Sequence, residues 1–114
     1  MSFAFFSLNS RYLYSLISQA ELSAEIGYHE QAIDLFDNIA TISVNDSIHS
    51  FKVKNYIFWQ CLCIIALDDW VRLEKKFKQF IEQYPSFADS RECAFINVNR
   101  YFQYNLYLIL FILF

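Results

Sequence analysis

The sequence predicts an all-α protein, built as an array of helical hairpins (an α-solenoid fragment) with about five helices. The 114 residues contain one glycine and one proline, whereas β-sandwiches and barrels need many turns rich in such residues. Hydrophobic residues make up 56% of the chain and recur with helical spacing. The predicted hairpins repeat at roughly 40 residues, which is typical of helical solenoids.

The first hairpin is predicted between Leu13 and Ala40. From Leu13 to Ala24 the apolar residues follow the three- and four-residue spacing of one helical face. Gly27 fits the C′ position just after a helix end, and the same period resumes in the following segment. Because almost nothing joins the two helices, they should form an antiparallel hairpin.

A polar, turn-like segment at residues 41–50 precedes the third predicted helix. Ser47 or Ser50 is a candidate N-cap for that helix. The helix itself, from about Ser50 to Leu67, is apolar on nearly every side. Such a helix is expected to be sandwiched between neighbours.

The last two predicted helices have recognisable ends. Asp68 and Asp69 begin the fourth helix, where acidic side chains suit the positive end of the helix dipole. Pro85 ends it, because the residue before a proline disfavours the helical conformation. Asp89 or Ser90 then caps the fifth helix.

Composition excludes several function classes. Nine basic against twelve acidic residues give a net charge of −3, whereas nucleic-acid-binding domains are typically basic. A single glycine cannot form either of the Gly-rich phosphate-binding motifs. No recognised catalytic arrangement of Ser, His or Cys occurs. We therefore expect no enzymatic activity, no catalytic residues, no cofactor and no nucleic-acid partner.

The three cysteines are expected to be free thiols. Cys61 and Cys63 would point roughly 200° apart on a helix, so they can neither bridge nor share a metal, and Cys93 stands alone. The sequence has no C-x-x-C pair. This usage is typical of cytosolic proteins whose thiols pack as small apolar groups, and no metal site is expected.

Both ends of the chain are apolar. Residues 1–8 lack the basic start and the full apolar stretch of a signal peptide. Residues 101–114 carry no charge, but a bilayer span needs roughly 20 apolar residues. We therefore divide the chain into helical repeats at 1–100 and a hydrophobic tail at 101–114. A buried helix, an incomplete segment and a membrane anchor remain open for the tail.

Three segments carry a resemblance to known proteins. Residues 25–36 (EIGYHEQAIDLF) resemble a tetratricopeptide-type turn, a signal shared by many helical adaptors. Residues 84–93 (YPSFADSREC) resemble the P-x-F-x-D-S-R-E element of the soluble NSF attachment proteins, the alpha/beta-SNAP family. Residues 54–58 (KNYIF) are similar to that family's K-D-Y-F-F helix start, and QAIDLF at 31–36 to its K-A-I-D-I-Y. The elements occur in the family's order, and the resemblance covers roughly residues 13–97.

This resemblance implies an adaptor that binds assembled SNARE proteins (syntaxin-like) and links them to the NSF ATPase, which takes them apart. The implied setting is vesicle fusion and intracellular transport, including ER–Golgi transport, in the cytoplasm and peripheral to membranes. Lys54 and Arg91 match SNARE-binding basic positions of the family. Further bases have no carried-over role: Lys52, Arg72, Lys75, Lys76 and Lys78.

The resemblance also has limits. The sequence shows no counterpart of the family's N-terminal repeats or of its C-terminal bundle, and an apolar run at 94–114 replaces a basic helix. We therefore expect the tail not to be native to the family, and stimulation of the ATPase to be absent. The alternatives are a generic tetratricopeptide-like scaffold, or a small tail-anchored membrane protein. Lys54 as an ordinary surface residue, and Arg91 paired with Asp89 or Glu92, are alternatives at the single-residue level.

Overall fold

The computed structural model describes the backbone of residues 2–113 and the side chains of residues 10–106 and 108–113. Met1 and Phe114, the outermost residues of the two apolar ends, lie outside it. The described chain contains six α-helices, one 3₁₀ turn and no strand, which confirms the all-α prediction. The helices are α1 (Ser2–Glu25), α2 (His29–Val44), α3 (Val53–Ala66), α4 (Trp70–Gln83), α5 (Pro85–Ala88) and α6 (Arg91–Leu113).

The helices pack mainly on their neighbours in the chain. Helices α1 and α2 form one hairpin, α3 and α4 form the next, and α6 begins a third layer against α3. The radius of gyration is 16.2 Å, against about 13 Å for a compact domain of this length. The molecule is therefore an elongated array, with extents of 65 × 30 × 18 Å.

The first hairpin closes as predicted. Gly27 has φ +92°, a conformation that side chains with a Cβ rarely adopt. The amide of Tyr28 donates to the carbonyl of Ser23 at 2.8 Å, and that of Gly27 donates to Ala24 at 3.2 Å. This pair of bonds is the Schellman motif, which satisfies carbonyls at the end of α1.

The start of α3 differs from the prediction, because neither Ser47 nor Ser50 caps it. Lys52 stands at the N-cap position with φ −94° and ψ −3°, and no side chain accepts a hydrogen bond there. A side-chain cap normally needs an extended N-cap residue, whereas here the chain enters through a 3₁₀ turn, Ser50–Lys52. The polar segment before it is held instead by Asp46, whose Oδ1 accepts from the amide of Ile48 at 2.9 Å.

Helix α3 is sandwiched between neighbours, as its composition predicted. It packs against α2, α4, α5 and α6. Half of its residues are buried: Val53, Tyr56, Ile57, Gln60, Cys61, Cys63 and Ile64.

All three cysteines are free and buried. Burial raises the pKa of the Cys61 thiol to about 12 and also raises the pKa of Cys63 and of Cys93. Since the thiolate is the reactive form of cysteine, these groups act as packing atoms. Within the described residues, no group of three His, Cys, Asp or Glu side chains is placed to hold a metal ion.

The corner between α3 and α4 uses two aspartates for two different purposes. Asp69 caps α4, since its Oδ1 accepts from the amide of Arg72 at 3.1 Å. Asp68 adopts the left-handed conformation with φ 57°, which aspartate tolerates better than most residues. Its Oδ1 accepts from Nε1 of Trp70 at 2.6 Å, and this bond fixes the turn.

Proline ends α4 as predicted, but it also begins a short helix, α5, that the sequence did not predict. Pro85 occupies the first position of α5, where its missing N–H costs nothing. Phe87 follows and is fully buried, with its ring centroid 6.1 Å from that of Phe77 and 6.4 Å from that of Phe80. The burial of Phe87 therefore holds the turn between α4 and α6 against the core.

Of the two candidate caps for α6, the structure uses Ser90. Its Oγ accepts from the amide of Cys93 at 3.1 Å and donates to the carbonyl of Phe87 at 2.6 Å. Helix α6 then continues without a break through residue 101 to Leu113. None of the described helices has the length and apolar content needed to cross a bilayer.

Replacing Gly27 by alanine should destabilise the protein by about 1–2 kcal/mol, the cost of a left-handed residue with a Cβ. A Cβ at Gly27 would meet nothing within 4 Å, so the cost is one of backbone conformation and not of a clash. The Gly27→Asn variant should lose less, because asparagine tolerates this conformation. Urea unfolding measures the free energy of unfolding of both variants. Equal stability of wild type and Gly27→Ala would contradict the left-handed conformation of Gly27.

Replacing Ser90 by alanine should cost about 1 kcal/mol, because it removes the cap of α6. The matched variant is Asp89→Ala, whose side chain makes no capping bond to α6. It should leave the urea midpoint nearly unchanged. If Asp89→Ala proved as costly as Ser90→Ala, the cap would be wrongly assigned.

Candidate protein-binding surface

Lys54 and Arg91, the two residues predicted to bind a partner, lie near the starts of α3 and α6. Lys54 is the second residue of α3 and is half-buried, while Arg91 is the first residue of α6 and is exposed. Each precedes an aromatic residue by four positions, Phe58 on α3 and Phe95 on α6. The rings of Phe58 and Phe95 contact each other with centroids 5.8 Å apart.

This register puts Lys54 and Arg91 at the same end of the packed helix pair. Helix α4 runs antiparallel to α3 through a short corner. Helix α6 runs antiparallel to α4, because Cys93, near the start of α6, lines one groove with Ile81, near the end of α4, whereas Arg100, midway along α6, meets Glu74, early in α4. Helices α3 and α6 therefore run in the same general direction. Residues four apart on a helix lie on the same side. Lys54 and Arg91 therefore lie one helical turn before the contact between the rings of Phe58 and Phe95, on the same side of their helices as those rings.

Neither cation has a partner within the described part of the chain. The salt bridges there are Arg72–Glu30 and Arg100–Glu74. Arg91 does not pair with Asp89 or Glu92, so that alternative is not observed. A cation at a helix N-terminus is disfavoured by the helix dipole, and Arg91 therefore contributes nothing evident to the stability of α6.

Two of the other bases are used to hold the array together. The Nη1 of Arg72 donates to both carboxylate oxygens of Glu30, at 2.8 and 2.9 Å, and thereby joins α4 to α2. Arg100 donates to Glu74 at 2.8 and 2.6 Å, with its guanidinium 4.3 Å from the ring centroid of Phe77. The hydrogen bond from Arg100 lowers the pKa of Glu74 below its usual value.

The remaining lysines have no such role. Lys75 and Lys78 on α4 are exposed and Lys76 is half-buried, as expected for a solvated helix face. Lys52 lies over the ring of Phe51, with 5.6 Å from its Nζ to the ring centroid.

Exposed aromatic side chains accompany Lys54 and Arg91, and the sequence analysis missed them. Trp59 is 50% exposed and Phe95 is 53% exposed, and the ring of Phe58 lies 6.3 Å from that of Trp59. Because α3 is apolar on nearly every side, its sequence does not show which aromatic residues face outwards. We call this group the α3–α6 patch: Lys54, Phe58, Trp59, Arg91 and Phe95.

The composition of the α3–α6 patch is that of a protein-binding surface. Interface cores are enriched in aromatic residues and arginine, and tryptophan and arginine dominate binding energy when buried by a partner. The patch holds no group suited to bond-making chemistry. It can provide apolar contact area with two positive charges beside it.

The family model described as "Soluble NSF attachment protein, SNAP" matches residues 7–98 of the chain. Among curated proteins, the alpha-soluble NSF attachment protein of Dictyostelium discoideum is 28% identical over 82 residues, which cover 72% of this chain and 28% of that protein. The mouse alpha-soluble NSF attachment protein is 27% identical over 78 residues, covering 68% of this chain and 26% of its own length.

A fungal relative, vesicular-fusion protein SEC17 of Coprinopsis cinerea, is 33% identical over 76 residues, covering 67% of this chain and 26% of that protein. No solved structure matches the chain significantly. The chain matches only about a quarter of the length of these curated relatives. Because the family model covers more than half of the chain and the described fold is the helical-hairpin array that the resemblance implies, the chain belongs to the soluble NSF attachment protein (SNAP) family.

Proposed function

We propose that this protein is a non-enzymatic adaptor that binds assembled SNARE complexes and links them to the NSF ATPase for disassembly. It would act in vesicle fusion and intracellular protein transport, in the cytoplasm and at the periphery of membranes. The observation that carries the proposal is the family match over residues 7–98, which includes both Lys54 and Arg91. The names of its relatives, which refer to NSF attachment and to vesicular fusion, support the same role.

Within this proposal, the α3–α6 patch is the surface that contacts the SNARE bundle. An assembled SNARE bundle is an acidic four-helix rod, so Lys54 and Arg91 would meet carboxylates. Exposed ion pairs contribute only about 0–1 kcal/mol each, so the two charges mainly steer and orient the partner. Trp59 and Phe95 would then supply the apolar contact that holds the complex together.

The function is tested by capture on an immobilised, assembled, soluble SNARE bundle. The Lys54→Glu/Arg91→Glu variant should weaken capture by about tenfold, because it turns two attractions into two repulsions. The control, Lys75→Glu/Lys76→Glu, makes the same change of net charge on α4, away from the patch, and should bind nearly as well as wild type. Wild-type capture should also fall as salt rises from about 0.05 M to about 0.3 M.

Two outcomes would count against the proposal. Unchanged capture by Lys54→Glu/Arg91→Glu would mean that the patch is not the contact. Equal losses in the two double variants would mean that only net charge matters. The link to the ATPase has a separate readout, which is retention of NSF on the immobilised bundle only when the chain is present.

A generic scaffold that binds a peptide is the second candidate. A groove of about 460 Å³ between α4 and α6 favours it. Phe77 and Ile81 contribute apolar surface to this groove, and Lys78 and Asp89 contribute charge. This candidate predicts that binding depends on the groove and is insensitive to changes at Lys54 and Arg91.

A further inference from the structure

The last part of α6 extends beyond the helical array. The ion pair of Arg100 with Glu74 joins α6 to α4, and Tyr104, one turn further along α6, lines a shallow pocket together with Trp70. From Leu106 to Leu113 every described side chain is exposed. The backbone nevertheless remains helical through this segment.

This projecting segment is apolar on all sides. Residues 101–113 contain no charged side chain. Successive residues on a helix point about 100° apart, so the six consecutive apolar residues at 108–113 leave no polar face. The exposed fractions include 85% for Phe111, 79% for Ile112 and 69% for Leu113.

The exposed area is too large for an uncovered surface. Tyr101, Phe102, Tyr104 and Phe111 are each at least 65% exposed. At about 150 Å² per aromatic side chain, these four alone expose about 400 Å². That already matches the largest apolar patch of a typical monomer, about 300–600 Å², before the leucines and isoleucines are added.

A lipid bilayer fits this surface better than a protein groove does. A groove covers one face of a helix, whereas a helix that is apolar all round belongs in a protein core or in a membrane. Residues 106–113 span about 12 Å, which fits within the ~15 Å hydrocarbon thickness of one leaflet. No described helix is long and apolar enough to cross a membrane.

We propose that residues 106–113 embed in a single leaflet of a lipid bilayer, with Tyr101 and Tyr104 at the level of the headgroups. Tyrosine is enriched at that level because its ring is apolar and its hydroxyl is polar. This attachment is independent of SNARE binding and uses a different part of the molecule.

Flotation of the full chain with phosphatidylcholine vesicles tests the proposal. Most of the wild-type protein should float with these neutral vesicles, equally at about 0.15 M and about 0.5 M salt, because the contact is apolar. The Ile109→Asp/Ile112→Asp variant should reduce the floated fraction by about tenfold, since charged side chains are excluded from hydrocarbon.

The control for the tail variant is Val71→Asp on α4. Val71 is 84% exposed, so this change also places an acid on an exposed apolar position, but outside the tail. It should float like wild type. Far-UV circular dichroism checks that the variants keep their helices. The tail variant should also retain capture by the SNARE bundle in vesicle-free solution, and Lys54→Glu/Arg91→Glu should float normally, so the two proposals fail separately.

Several results would overturn the leaflet proposal. Wild-type protein that stays in solution or pellets as an aggregate in the presence of vesicles would do so. Flotation that requires about one-fifth phosphatidylserine and disappears in high salt would indicate attraction by lysines instead. A dimer in sedimentation velocity that dissociates in the tail variant, without flotation of wild type, would show that a second copy covers the tail.

Discussion

The array depends on α3, the helix against which four others pack. At about 100° per residue, its seven buried residues cover nearly half of the helix circumference, and α2, α4, α5 and α6 all contact it. Even Gln60 is buried, and its Oε1 has no hydrogen-bond partner in the described structure. Lys54 lies next to Val53 at the edge of this buried face and is therefore only half-buried. The packing of the core thus determines where the candidate binding surface begins.

The segment from Tyr84 to Cys93 shows how structural and binding roles are divided within one motif. Pro85 starts a short helix, Phe87 is buried against Phe77 and Phe80 of α4, and Ser90 caps the next helix. Arg91, by contrast, is exposed and has no partner among the described residues. Most of the residues that make the family resemblance visible therefore build a corner. The same corner places Arg91 at the start of α6, where α6 begins to pack against α3.

Features set by local rules were predictable from the sequence. Gly27 and Pro85 restrict the backbone directly, and Asp69 lies where a cap is needed. The short helix at Pro85–Ala88 was not predictable, because four residues carry no helical period. The left-handed Asp68 was also missed, since aspartate occurs in many conformations. The exposed aromatic residues of α3 could not be predicted, because a helix that is apolar on nearly every side does not show which residues its neighbours leave uncovered. The exposure of Phe95 on α6 likewise depends on which helices pack beside it.

The unbroken course of α6 couples its two ends mechanically. Its 23 residues make a rod about 34 Å long, with Arg91 at one end and the apolar segment at the other. No proline or glycine interrupts this helix, so its two ends move together as one rigid body. Rotating the apolar end by about 10° displaces the Arg91 end by about 6 Å, taking a rise of ~1.5 Å per residue. Whatever sets the angle of the apolar end also sets the height and orientation at which the array presents its basic corner.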